Sequence, residues 1–106
     1  MLERLTELNL LLDFYNSLLT SKQKFALEMH YSEDLSLGEI AENLNISRQA
    51  VHDLIRRGEK LLKDYENKLG LVKKHLRRQK LVDEIKQLID NENNEHIYTL
   101  LNQIVE

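Results

Sequence analysis

The chain has 106 residues, 42% of them apolar and 31% charged, with no proline, no cysteine and three glycines. That length bounds it to one small domain, or one plus a helical extension, and the balance is that of a globular protein. The missing cysteines exclude disulfides and thiolate metal sites, and the short apolar runs exclude a membrane-spanning segment. The scarcity of breakers predicts an all-α fold.

The net charge of −3 conceals an uneven distribution. Residues 1–46 carry 3 Lys/Arg against 8 Asp/Glu, residues 47–80 carry 11 against 4, and residues 81–106 carry 1 against 6. A basic block thus sits between two acidic ends, which points to a localised anionic partner. An N-terminus with Glu3 and Glu7 among its leucines does not read as a secretion signal, so a cytoplasmic protein is expected.

Leu2, Leu5, Leu8, Leu11, Leu12, Tyr15 and Leu18 recur at threes and fours and predict an amphipathic helix over 2–18. Thr20 with Gln23 reads as a capping box opening a second helix. Phe25, Ala26, Leu27 and Met29 are its expected buried side, and 32–34 a loop. Ser36 with Glu39 is another capping box, opening a short third helix with Leu37, Ile40, Ala41 and Leu44 apolar. Asn45 tolerates a left-handed backbone, and Ser47 caps a fourth helix.

The stripe Ala50, Val51, Leu54, Ile55, Gly58 continues in phase through Leu61, Leu62, Tyr65, Leu69, Val72 and Leu76. Phase therefore predicts one helix from Ser47 into the high seventies, with a break near Arg77–Lys80. The local chemistry of Gly70 competes with it, as a left-handed cap. Leu81, Val82, Ile85, Leu88 and Ile89 form a new stripe, 90–94 a loop, and 95–105 a last helix.

Two helices joined by three residues cross steeply, and small Ala41 lets them approach. Ile40, Leu44, Ile46, Val51 and Leu54 fill the angle between them. This is the helix-turn-helix pattern, with Asn45 where glycine is usual and no wing predicted. On the outward face of the fourth helix, Gln49, His52, Asp53 and Arg56 are the candidate base contacts. Gln suits adenine, Arg suits guanine, and Asp accepts from cytosine. Ser47, Arg48, Arg57, Lys60, Lys22 and Lys24 are the candidate phosphate contacts. Lys73, Lys74, Arg77, Arg78 and Lys80 form a second basic patch.

The four histidines lack the paired spacing of a metal site, and there is no glycine-rich phosphate loop. No enzyme activity, metal or cofactor is expected. Residues 1–60 are read as the DNA-binding part and 61–106 as a helical extension for self-association, through the stripes of 61–76 and 81–89 and the last helix.

The stretch from Leu19 to Arg57 resembles region 4 of bacterial sigma factors, through LTSKQKFALEMHY, LSLGEIAENLNIS and the Val51-centred helix. The whole chain resembles the YlxM family of small bacterial proteins, through LLDFYNSLLTSKQK, ISRQAVHDLIRRGEKLL and YENKLGL. That resemblance implies a helical, sigma-region-4-like fold and a DNA-binding or regulatory protein. Family genes neighbour that of the signal recognition particle GTPase, so it also implies a link to that pathway, or a protein or RNA adaptor of the particle. Asp53 departs from the sigma pattern, and promoter recognition as a sigma factor is not expected.

Overall fold

A computed structural model describes residues 2–89 and 94–105. Its helices are α1 (Leu2–Tyr15), α2 (Ser21–Leu27), α3 (Leu37–Leu44), α4 (Arg48–Leu69), α5 (Leu71–Leu88) and α6 (Glu95–Val105). Among the described residues there is no β-strand. The loop expected at 90–94 lies, apart from Asn94, outside the described residues. Two compact units result, Met1–Gly70 and Leu71–Glu106. The 60/61 division expected from sequence falls inside α4.

The first unit is organised around α4, against which α1, α2 and α3 pack. Leu8, Leu11, Leu12 and Tyr15 of α1, Ala26 and Leu27 of α2, and Ile40 and Ala41 of α3 are buried. They meet Val51, Ile55, Gly58 and Leu62, which recur along one side of α4 at helical spacing. Leu27 of α2 packs directly over Gly58: a Cβ there would stand 2.6 Å from Leu27 Cδ1.

The predicted caps are present. The Thr20 hydroxyl oxygen accepts from the Gln23 N–H, and the Gln23 side chain accepts from the Thr20 N–H, both at 3.2 Å. Ser36 and Glu39 repeat the arrangement at 3.2 and 3.1 Å. Ser47 Oγ accepts from the Ala50 N–H at 3.0 Å. Asn45 closes α3 at φ 55°, ψ 46°, supplying the left-handed residue that the turn requires.

Several expectations are corrected. The first helix is α-helical only to Tyr15, and Asn16–Leu18 tightens into a 3-10 turn. The second gives way at Glu28–Ser32 to a single π-turn. Phe25 is half exposed: α2 turns Ala26 and Leu27 inward, and a residue about 100° away leaves the interface.

The long helix through Gly70 does not form. Gly70 adopts φ 63°, ψ 28°, and its N–H donates to the Glu66 carbonyl at 2.8 Å. Without a Cβ this conformation carries no steric cost, so the local cap prevails over the continuing apolar phase. Nor is there a break at Arg77–Lys80, which lies inside α5. In the second unit α5 and α6 pack together, with Val82 and Leu101 buried.

Candidate nucleic-acid interface

The three residues Asn45–Ser47 turn the chain from α3 into α4. The buried stripe of α4 fixes which side faces out: at about 100° per residue, the arc opposite Val51, Ile55, Gly58 and Leu62 carries Gln49, Asp53, Arg56, Arg57 and Lys60. Gln49, His52, Arg56, Arg57 and Lys60 are exposed, and Asp53 is partly so. The face is therefore one surface, held by the core behind it.

Two of the candidate base contacts are engaged with each other. Gln49 Nε2 donates to Asp53 Oδ1 at 3.3 Å, an i, i+4 pair along the outer face. His52 Nδ1 lies 4.0 Å from the same oxygen. The carboxylate near the centre of the cationic arc thus has neighbours on its own helix that can donate to it.

The candidate phosphate contacts are distributed unequally. Arg57 and Lys22 line a shallow cleft of about 320 Å³ with Gln23, Ile46, Ala50, Asp53 and Leu54, so α2 contributes a cation beside α4. Lys24 is half-buried and outside that cleft. Arg48 is exposed, and its guanidinium lies over Gly38, where a Cβ would come within 2.8 Å of Nη2. The glycine at the start of α3 thereby lets the first residue of α4 lie flat across the turn. Ser47 keeps its hydroxyl hydrogen available while its oxygen caps α4.

A network that sequence reasoning missed borders this face. The Tyr31 hydroxyl donates to Glu59 Oε1, and Arg4 Nη2 lies 3.5 Å from Glu59 Oε2. Burial, with the Glu59 hydrogen bond and charge added to it, pushes the Tyr31 phenol up to about 12. His30, against whose ring Tyr31 packs edge-on, has Nδ1 3.0 Å from the Leu35 carbonyl. The network joins α1 and the π-turn to α4 beside Arg56 and His52. Farther along α4, the buried Tyr15 hydroxyl donates to Glu66 Oε1 at 2.7 Å, and Tyr65 donates to the Leu18 carbonyl at 3.3 Å. No periodicity marks such pairs, because their partners lie far apart in the chain.

In the second unit, Lys73, Lys74, Arg77, Arg78 and Lys80 are all exposed on α5. Among the described residues no group of three or more His, Cys, Asp or Glu is placed to hold a metal ion. Nor is any described helix long and apolar enough to cross a membrane.

Residues 2–102 match the model of the UPF0122 family, described as "Putative helix-turn-helix protein, YlxM / p13 like". UPF0122 proteins of Bacillus thuringiensis (strain Al Hakam), Bacillus cereus (strain 03BB102) and Bacillus anthracis (strain A0248) are each 52% identical to the chain. Each alignment covers 100% of this chain and 94% of the relative. The capped turn and α4 lie wholly within the matched span, and the chain belongs to the UPF0122 family of YlxM / p13-like helix-turn-helix proteins.

Proposed function

We propose that this protein binds double-stranded DNA through the outward face of α4 and acts as a cytoplasmic regulator. The observation that carries the reading is the joint exposure of Gln49, Arg56, Arg57 and Lys60 on one face, behind a turn capped at both ends. A helix so presented fits the major groove, with its first turns at the base edges. Gln49, Asp53 and Arg56 read bases from the middle of the face, and His52 does so at its edge. Arg48, Arg57, Lys60, Lys22, Lys24 and Ser47 hold phosphates. Residues 1–60 supply this contact and 61–106 the association of copies. Involvement in the signal recognition particle pathway belongs to the same reading, on the strength of the YlxM resemblance.

A second reading, a protein or RNA adaptor of that particle, is favoured by one observation: a carboxylate sits near the middle of the contact face and already accepts from Gln49. Selection from a randomised duplex pool, followed by affinity measurements across salt concentration, separates the two. For DNA binding, Gln49→Ala or Arg56→Ala costs about 1–3 kcal/mol on a selected site and far less on random DNA. Arg57→Ala weakens both kinds of DNA alike. If the unaltered protein enriches no sequence and its affinity shows no salt dependence, the DNA reading fails and the adaptor reading stands.

A further inference from the structure

The hairpin of α5 and α6 has two dissimilar sides. On one, Lys86 Nζ bonds Asn102 Oδ1 at 2.6 Å and lies 5.7 Å from the Tyr98 ring centroid. On α5, Leu81, Ile85 and Leu88 fall on one arc, displaced from the buried Val82 in the sense opposite to Lys86. On α6, Ile97, Leu100 and Ile104 fall on one arc, displaced from the buried Leu101 in the sense opposite to Asn102. In an antiparallel hairpin both arcs therefore open to the side away from the Lys86–Asn102 bond. Six large aliphatic side chains form one surface there, each between 41% (Ile97) and 86% (Leu88) exposed.

We propose that this surface is a homodimer seam: two copies pack hairpin on hairpin, antiparallel, into a four-helix bundle. Area is the first argument. The six side chains expose roughly 600 Å² of apolar surface per copy, most of the about 800 Å² per partner that a stable interface buries. Stoichiometry is the second. The unit spans only Leu71–Glu106, and among its described residues just Val72, Val82 and Leu101 are buried. A segment below about 40 residues with so small a core needs association to hold its shape. It needs a cover in every molecule, and a second copy of the chain is the partner always present in equal amount. Charge sets the orientation. Lys74 and Arg78 continue the Leu81–Ile85 stripe at spacings of four and three residues toward the N-terminus of α5. A parallel pairing would stack these cations on their equivalents. An antiparallel pairing, with its axis near Ile85, keeps the two copies of Lys74 roughly 30 Å apart, beyond the screening length at physiological salt.

Of the stripes read for self-association, that of 61–76 is partly spent, with Leu62 in the core of the first unit, so the seam is narrowed to the 81–88 stripe and α6. It does not depend on DNA binding. Sedimentation equilibrium of the full chain at tens of micromolar is expected to give a dimer. Ile85→Glu with Leu100→Glu is expected to weaken association about a hundredfold or more. Since the chain has no cysteine, single-cysteine variants test orientation without background. Ile85→Cys is expected to form an intermolecular disulfide on mild oxidation. Arg78→Cys is expected not to, its copies lying roughly 20 Å apart. A monomeric unaltered protein, or a double-glutamate variant that associates as strongly, overturns the seam. Arg78→Cys cross-linking as readily as Ile85→Cys overturns the antiparallel arrangement.

Discussion

Gly58→Ala offers a test of the α2–α4 contact, because two effects of opposite sign meet at one atom. In an open helix the substitution stabilises by about 1 kcal/mol, since alanine loses less backbone freedom than glycine. Here the new Cβ would lie 2.6 Å from Leu27 Cδ1 and 3.3 Å from Leu27 Cγ. Leu27 is fully buried, so its side chain cannot swing into solvent to make room. Forcing a methyl into a closed core costs about 1–3 kcal/mol. The balance is a loss of up to about 2 kcal/mol, with the helix gain offsetting part of the strain.

The assay is urea unfolding of four proteins: unaltered, Gly58→Ala, Leu27→Ala and the double variant. Leu27→Ala alone should cost about 2–5 kcal/mol through its cavity. In that background the Gly58→Ala methyl keeps only an ordinary contact, 3.8 Å to Gln23 Cβ, so its effect should change sign and stabilise by about 1 kcal/mol. The sign reversal is the signature. If Gly58→Ala instead stabilises the unaltered protein by about 1 kcal/mol, the approach of α2 to α4 is looser than this packing and the reasoning fails.

Tyr31 makes stability depend on alkaline pH. Its phenol is raised from an ordinary 10.0 to about 12, so the unfolded chain loses this proton first. The contribution is whole below pH 10 and is lost as pH rises toward about 12. The stability difference between unaltered protein and Tyr31→Phe should therefore shrink across that window, and a constant difference would count against the Glu59 bond. Replacing Lys74, Arg77 and Arg78 with Gln should lower affinity for DNA and RNA alike, and reduce the salt slope by about one unit for each phosphate that is no longer neutralised. Unaltered slopes on both polymers would leave the basic run of α5 as a solvated face.

The first unit was legible because its determinants are local. A hydroxyl at the cap with Glu or Gln three residues on is a short-range instruction, and Thr20 and Ser36 both carry it out. Asn45 in the left-handed region is another. The apolar stripe of α4 gave its buried side, and hence its outward side, from the helical repeat alone. The misreading at Gly70 has a physical cause. Phase records which side of a helix is apolar and is blind to whether the helix continues. One residue free of Cβ strain can end it, and a new helix can start in register by coincidence. The π-turn after Leu27 has no comparable sequence signature, and the bonds of its Tyr31 to Glu59 and of its His30 to the Leu35 carbonyl follow no helical repeat.

The contact face shows the limit more sharply. Helical spacing places Gln49, Asp53, Arg56 and Lys60 on one side but not what each does there. Asp53 reads from sequence as an acceptor for cytosine or as a charge that repels phosphate. The hydrogen bond from Gln49 adds a third role: with one amide hydrogen held by Asp53, the Gln49 side chain is restrained before any partner arrives. The roles leave different traces in a selection experiment. A cytosine contact means that Asp53→Asn relaxes one base pair distinct from that read by Gln49. Repulsion means that every sequence is bound more tightly once the charge is gone. Restraint means that Asp53→Ala and Gln49→Ala lose preference at the same base pair, and that the double variant loses little more than either. Full additivity, with losses at separate positions, would exclude restraint and return Asp53 to direct contact.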